Sequence, residues 1–447
     1  MLDSTLGKER VWIRLGGEES HVIERYEIRL SFFTQPGTFA LRVGNSKLVR
    51  DLLAAYPPGT EFELFVELAD GMKVRIMTGR IDHTGVEPSA GANEVTLRGR
   101  DWMAPLHDGM SRVERTFGQV TFNGLNEKVI VLSGVSEPTL FYDNTDNRLA
   151  VQGTPKIEKT EERTREFAIE DGSAARVGLV STGEAAGSPF AYDVIAATPD
   201  RLVALPDTVK QVAKVVGFDV PNPLKLKLGT SYLHFLQEQN NRAGLFLFAS
   251  AEPRSYILTR PNVLQEPTWR IVRRRGSSWG VLENPGPRYS NDTAGRFSHY
   301  FVRGRGGGGK DGKKQVEGLY VDPEMVGYRL LKDWSHEDAI AKTSKGAEYL
   351  ARRMAAEKAR AGWNLTYPLH GLSWPTRAGG RGVWCPDGMV EIEDEEFGLS
   401  GPFWISDVAM SGGANDKTST MLTLHRPEHQ LYGDEVLPVR TKGRGKR

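Results

Sequence analysis

Hydrophobic and polar residues alternate with a period of two through much of the first hundred residues. Tyr26, Ile28, Leu30 and Phe32 alternate with Arg25, Glu27, Arg29 and Ser31. Phe62, Leu64, Val66 and Leu68 alternate with Glu61, Glu63 and Glu67 in the same way. Strands with one apolar and one charged face predict an antiparallel β region, a small barrel or a curved sheet. Between them, Ser46–Leu53 reads as a short helix stopped by Pro57-Pro58-Gly59. The most informative stretch follows. Val74, Ile76 and Thr78 alternate with Lys73 and Arg75, and Val95 and Leu97 with Glu94, Thr96 and Arg98. Together with Gly79-Arg80-Ile81-Asp82 and Gly99-Arg100-Asp101-Trp102, they predict a hairpin that closes on a Gly-Arg-Asp turn.

The pattern weakens from about Asp108 to Arg201, and this middle segment gives no clear elements. It returns at Asp207, a candidate N-cap for a helix with Val209, Val212, Ala213 and Val216 on one face and Gly217 at its end. A second helix is predicted over 231–242, ending at Gly244. Strands at 245–248 and 256–259 then complete a compact αβ unit. The last third is β again, broken by one helix. Ser335 with Asp338 three residues on predicts its start, Ala347, Leu350, Ala351 and Met354 form its apolar stripe, and Gly362 ends it. Strands are predicted from Trp363 to Leu369, at 389–394, at 403–410 and at 420–425.

A chain of 447 residues predicts several domains. The 49 Gly and 24 Pro suit turns and short strands better than a helical bundle. The balance of 58 Lys+Arg against 57 Asp+Glu argues against a dedicated nucleic-acid binder. Cys385 is the only cysteine, which excludes an intrachain disulfide. No apolar run approaches a membrane span, and Met1–Arg10 lacks the apolar core of a signal peptide. The expectation is a soluble protein folded in a cytoplasm.

The candidate chemistry fails member by member. Gly304–Lys310 matches a phosphate loop by letter, but Asp311 stands where a Ser or Thr would hold magnesium, and no helix follows. A glycine-rich loop mobile at the rim of a barrel is the better reading of 304–314. His425 and His429 have the spacing of zinc ligands on a helix, but Pro427 lies between them. The run Glu391, Glu393, Asp394, Glu395 and Glu396 reads as a solvated strand end rather than a calcium loop. Trp269, Trp279, Trp334, Trp363, Trp374, Trp384 and Trp404 suit core or interface packing more than a sugar site. Cys385, in a strand-to-turn sequence, reads as buried or incidental. No catalytic residue, cofactor site or metal site is expected.

The Gly79-Arg80 and Gly99-Arg100-Asp101 pattern resembles the N-terminal barrel of baseplate hub proteins of contractile-tailed, Mu-like bacteriophages. The likeness extends through Gly229–Leu236 and Gly244–Leu247, similar to the family's helix-on-sheet second domain. Asp292–Gly304, with Arg296, resembles the approach to its second barrel. Trp384–Val390, Ile405–Val408 with Asp407, and Thr423–Pro427 complete the pattern. Residues 8–105 and 205–430 are covered, and the segment of 106–206 is longer than the family suggests.

The resemblance implies an α+β, mainly β chain, with two small tube-like antiparallel β-barrels, an αβ domain and a variable insert. Its boundaries are 1–105 for the first barrel, 106–206 for the variable segment and 207–264 for the αβ domain. The second barrel covers 265–430 with a helix at 335–361, and 431–447 form a basic disordered tail. Gly79, Arg80, Gly99, Arg100, Asp101, Gly244, Arg296, Gly304, Trp384 and Asp407 are its structural signature. The implied function is a homotrimer joining a sixfold tail tube to a threefold spike, in the virion baseplate after assembly in the host cytoplasm. Implied partners are a tail tube or tube-adaptor protein and the central spike protein, with the tape measure protein and baseplate wedge as further ones. Neither specific nucleic-acid binding nor a membrane span is implied. Two rivals stand beside it: a tail-tip cell-wall hydrolase, and a carbohydrate-binding protein of receptor recognition.

Overall fold

The computed structural model describes residues 9–20, 23–43, 57–89, 92–117, 122–142, 224–242, 244–263, 265–276, 280–305, 315–328, 332–338, 341, 344–413 and 416–430. The helices expected at 46–53 and 207–217, the tail 431–447 and most of the glycine-rich loop (306–314) lie outside these residues.

Seven strands form from the N-terminal alternation: β1 Arg10–Leu15, β2 Glu18–Ser20, β3 Ile23–Ser31, β4 Thr38–Val43, β5 Glu61–Glu67, β6 Lys73–Ser89 and β7 Ala92–Asp101. They pair antiparallel in the order β2-β1-β5-β6-β7-β4-β3. Tyr26, Ile28, Leu30, Phe32, Phe62, Leu64, Val66 and Leu68 are all buried, as their spacing requires. The Gly-Arg-Asp sequence is not the turn of this hairpin. β7 runs through Gly99 and Arg100 to Asp101, opposite Ile81, Arg80 and Gly79.

Behind this sheet sits an αβ unit. Its strands are β8 Arg115–Phe117, β9 Thr139–Tyr142, β10 Leu224–Leu226, β11 Phe246–Ala249 and β12 Ser255–Thr259. Its helices are α1 Ala104–Asp108, α2 Phe122–Leu132 and α3 Tyr232–Arg242. β9 adds in parallel to β12, and β8 pairs with β10. Trp102, Leu106, Leu125, Val129, Ile130, Leu236 and Tyr256 share one core. The expected border at 106 is therefore displaced. Residues 104–117 and 122–142 belong to the αβ unit, because α2 buries Leu125, Val129 and Ile130 against it.

The C-terminal strands are β13 Trp269–Arg273, β14 Arg288–Asn291, β15 His299–Arg305, β16 Gln315–Val321, β17 Asp333–Asp338, β18 Trp363–His370, β19 Ser373–Pro375, β20 Arg381–Val383, β21 Met389–Asp394, β22 Leu399–Gly413 and β23 Ser419–His425. Six of them, β14, β18, β23, β22, β21 and β13, continue the N-terminal sheet to thirteen strands among the described residues. The splice is β22, whose fifteen residues outrun β21. Its first half pairs with β21 and its second half, from Asp407 to Gly413, with β3. Ile28, Leu64 and Ile76 share a core with Ile271, Tyr367, Ile405 and Leu424. Two small tube-like β-barrels were expected; the largest sheet of the described residues is instead one thirteen-stranded, mainly antiparallel sheet, with no closed barrel among them.

A smaller sheet, β16-β15-β17, stands apart from it. Two helices accompany it, α4 Pro323–Tyr328 and α5 Ser344–Gly362, and α5 buries Ala347, Leu350 and Ala351 on it. The helix expected from Ser335 starts nine residues later. Ser335 is paired with Phe301 in β17, whose Trp334 packs against the core under α5. The sequence 292–304 accordingly leads into this sheet rather than into a second barrel.

Candidate functional site

The signature residues at 79–101 build a clamp between the first sheet and the αβ unit. A Cβ on Gly79 would stand 2.0 Å from the Arg100 carbonyl oxygen, and one on Gly99 2.6 Å from that of Arg80. Only glycine fits this close approach. The Arg100 guanidinium donates to both carboxylate oxygens of Asp82 (2.6 and 3.0 Å) and to both of Asp108 (3.0 and 2.6 Å). It thereby ties α1 to the strand, and holds the Asp108 carboxyl down at about 2. The Arg80 guanidinium lies 5.0 Å from the Trp102 ring and that of Arg254 5.7 Å from it.

Asp101 is buried at the corner. Its carboxylate accepts hydrogen bonds from the Gly37 amide (2.8 Å) and the Met103 amide (2.9 Å). Burial pushes its pKa up to about 7, against the pull of these two amides and of Arg100. One residue on, the Trp102 carbonyl accepts from the Tyr256 hydroxyl (2.7 Å). Arg75, expected on a solvated face, is buried because the αβ unit covers it. Its guanidinium pairs with Glu63 (2.9 Å) and with Glu252, whose carbonyl also accepts from the Thr78 hydroxyl (3.1 Å). Glu252 and Tyr256 lie more than 150 residues from their partners, so no local spacing could have pointed to them.

The other signature residues are dispersed structural supports. Gly244, at φ +69°, ends α3 in a left-handed turn. Arg296 is buried and pairs with Asp322 (2.8 Å) and Glu324 (2.9 Å); Asp322 in turn accepts from the Glu324 and Met325 amides at the start of α4. A Cβ on Gly304 would lie 2.1 Å from the Ala341 carbonyl oxygen. Trp384 is buried between Trp269 and Trp374, with ring centroids 4.8 and 5.8 Å away. Asp407 marks a bulge where β22 changes partner and accepts from the Ser406 hydroxyl.

The remaining candidates also resolve into packing. His425 ends β23, and His429 sits in a 3-10 turn, Pro427–Gln430. Both are buried, and burial lowers each pKa to about 3, helped by nearby arginines. The acidic run is not a solvated strand end throughout. Asp394 is buried, accepts from the Tyr367 hydroxyl (2.6 Å) and pairs with Arg273 (3.3 Å), while Glu393 pairs with Arg270 (2.5 Å). Trp269, Trp363, Trp374, Trp384 and Trp404 are buried and Trp334 is half-buried; Trp279 lies outside the described residues. Cys385 is half-buried against the main core. Where α3, β11 and α5 meet Phe32 and Phe33, a cavity of about 340 Å³ is lined by carboxamides, aromatic rings and Arg360. No described cluster of His, Cys, Asp or Glu is placed to hold a metal ion. None of the described helices is long and apolar enough to cross a membrane.

No protein-family model matches the sequence, and no curated protein matches it. Solved structures do. A tail protein from Neisseria meningitidis MC58 superposes with a TM-score of 0.62 at 18% identity, covering 95% of this chain and 98% of that one. The 43 kDa tail protein of prophage MuSo2 from Shewanella oneidensis gives 0.59 at 14% identity, covering 94% and 99%. The chain shares its fold with these two tail proteins.

Proposed function

We propose that this chain is the baseplate hub of a contractile phage tail, a homotrimer that joins a sixfold tube to a threefold spike. One observation carries the reading beyond the shared fold. The large sheet is one continuous sheet with two portions, β1 to β7 and the six C-terminal strands joined to them through β22, each offering a β surface from the same chain. Three chains would then offer six such surfaces to a tube and a threefold face to a spike. The reading takes the two portions as tube-like modules completed by their neighbours in the ring. The clamp of Arg100, Asp101 and Tyr256 serves to hold the first module at a fixed angle to the αβ unit. Its work is mechanical, and no catalytic step is assigned to the chain. The site of action is the virion baseplate, reached after assembly in the host cytoplasm.

Native mass spectrometry tests it, on the purified chain alone and mixed with the tube and spike proteins of the same tail. Three copies bound to one trimeric spike are the expected result. A single copy of this chain on a trimeric spike, or a hexamer of this chain, contradicts it.

A further inference from the structure

Two exposed apolar patches with opposite fringes of charge lie on different parts of the chain. The first is the outer face of the sheet β16-β15-β17. Phe301 stands opposite Leu319 and His299 opposite Val321, while the other face, with Tyr300 and Val302, is buried under α5. Phe301, Leu319 and Val321 are 38%, 45% and 40% exposed, high for three neighbouring apolar side chains on one sheet face. Glu317, Asp333 and Glu337 occupy the same face, with Arg303 as the cation among them. Among the described side chains of this face, three carboxylates stand against one guanidinium, an acidic excess.

The second patch is on the αβ unit, where the segment 109–114 runs beside 227–231. Ser111 donates its amide to the Thr230 carbonyl (3.0 Å), and Gly229 donates to that of Ser111 (2.9 Å). These bonds bring Met110, Val113 and Leu228 to the same loop pair, 59%, 52% and 66% exposed. Arg112, Arg115, Lys225 and Lys227 are exposed around them, with Glu114 as the carboxylate among them. Four cations against one carboxylate make this rim basic.

We infer that these two patches are the two halves of one contact between copies of this chain: the Met110/Val113/Leu228 loops of one copy seat on the Phe301/Leu319/Val321 face of the next. A head-to-tail contact needs two different, complementary surfaces on every copy, and it closes into a ring when the rotation allows. Apolar centres inside rims of opposite sign supply both attraction and register. The inference rests on the homotrimer reading and names the surfaces that reading leaves open.

Charge reversal tests it. Lys225→Glu with Lys227→Glu makes the loop rim acidic, and Asp333→Lys with Glu337→Lys makes the sheet rim basic. Oligomer formation is measured by sedimentation over a concentration series at low and high salt, with circular dichroism to confirm folding. Each reversal alone should raise the concentration needed for assembly at least about tenfold at low salt. The chain carrying all four changes should return to within about threefold of the unaltered one, since both rims are then complementary again. A second measurement avoids dependence on charge: Leu228→Cys with Phe301→Cys should give intermolecular disulfides under mild oxidation. Assembly of the unaltered trimer without rescue in the fourfold variant, or without that disulfide, overturns the contact and leaves the trimer standing. A unaltered chain that stays monomeric at every concentration, with and without its tail partners, overturns both.

Discussion

Asp101 and the two buried histidines pull stability in opposite directions with pH. The Asp101 carboxyl has a folded pKa of about 7 against an ordinary 3.8. The folded chain therefore holds that proton more tightly than the unfolded chain does. Its contribution is complete below about pH 4 and is lost as pH rises to 7. Asp101→Asn should abolish this fall, measured as urea-unfolding free energy at pH 5 and 8. An unchanged slope between those values would count against the buried carboxyl. His425 and His429 do the reverse, since their folded values of about 3 lie below the ordinary 6.5. Their contribution is present above pH 6.5 and is lost as pH falls toward 3, by roughly 2 kcal/mol each at pH 5. His425→Phe should shrink the loss of stability between pH 7.5 and 5 by an amount of that order. An equal loss in both chains contradicts a neutral buried histidine. At this scale the sequence exposed the residues but not their roles. The spacing of His425 and His429 around Pro427 excluded a helical metal pair, yet burial is set by Phe33, Trp363 and Trp404, which are remote in sequence.

Strands were legible wherever one face met a core and the other water. β3 and β23 follow the alternation of their side chains closely, and β5 and β18 follow it over their first half. The period failed where both faces are covered: Arg75 and Thr96 are polar by sequence and buried beneath or beside neighbouring elements. The start of α5 was misread for a related reason. Ser335 and Asp338 satisfy the local signature of a helix cap, but pairing of β17 with β15 along six residues outweighs it. α2 was missed because its apolar stripe is short and flanked by a weak pattern. β22 is the element on which the joined sheet depends. A Cβ on Gly413 would stand 2.1 Å from the Glu24 carbonyl oxygen, across the pairing with β3. Gly413→Val should cost about 1–3 kcal/mol through this overlap. Gly295→Ala, whose Cβ would meet nothing within 4 Å, is the control and should stay within about 0.5 kcal/mol. Equal denaturant midpoints for the two variants would show that β22 and β3 are not closely apposed.

At the scale of the whole molecule, the proposed hub has two β modules per chain that alternate around a threefold axis. The resemblance of Gly79–Arg80 and Gly99–Asp101 to baseplate hubs suggested such modules, while the splice through β22 was invisible in the sequence. No local pattern reports which strand takes the far half of a fifteen-residue partner. The purified chain should show no peptidoglycan turnover; hydrolysis above a heat-killed control would contradict a purely mechanical role. Three-dimensional imaging of the assembled oligomer is the most direct test. The predicted result is a threefold ring in which residues 10–101 and 269–425 of successive chains form six alternating β lobes around an open channel. A closed sixfold ring of whole chains, or an assembly whose two β portions do not share one wall, would contradict the hub.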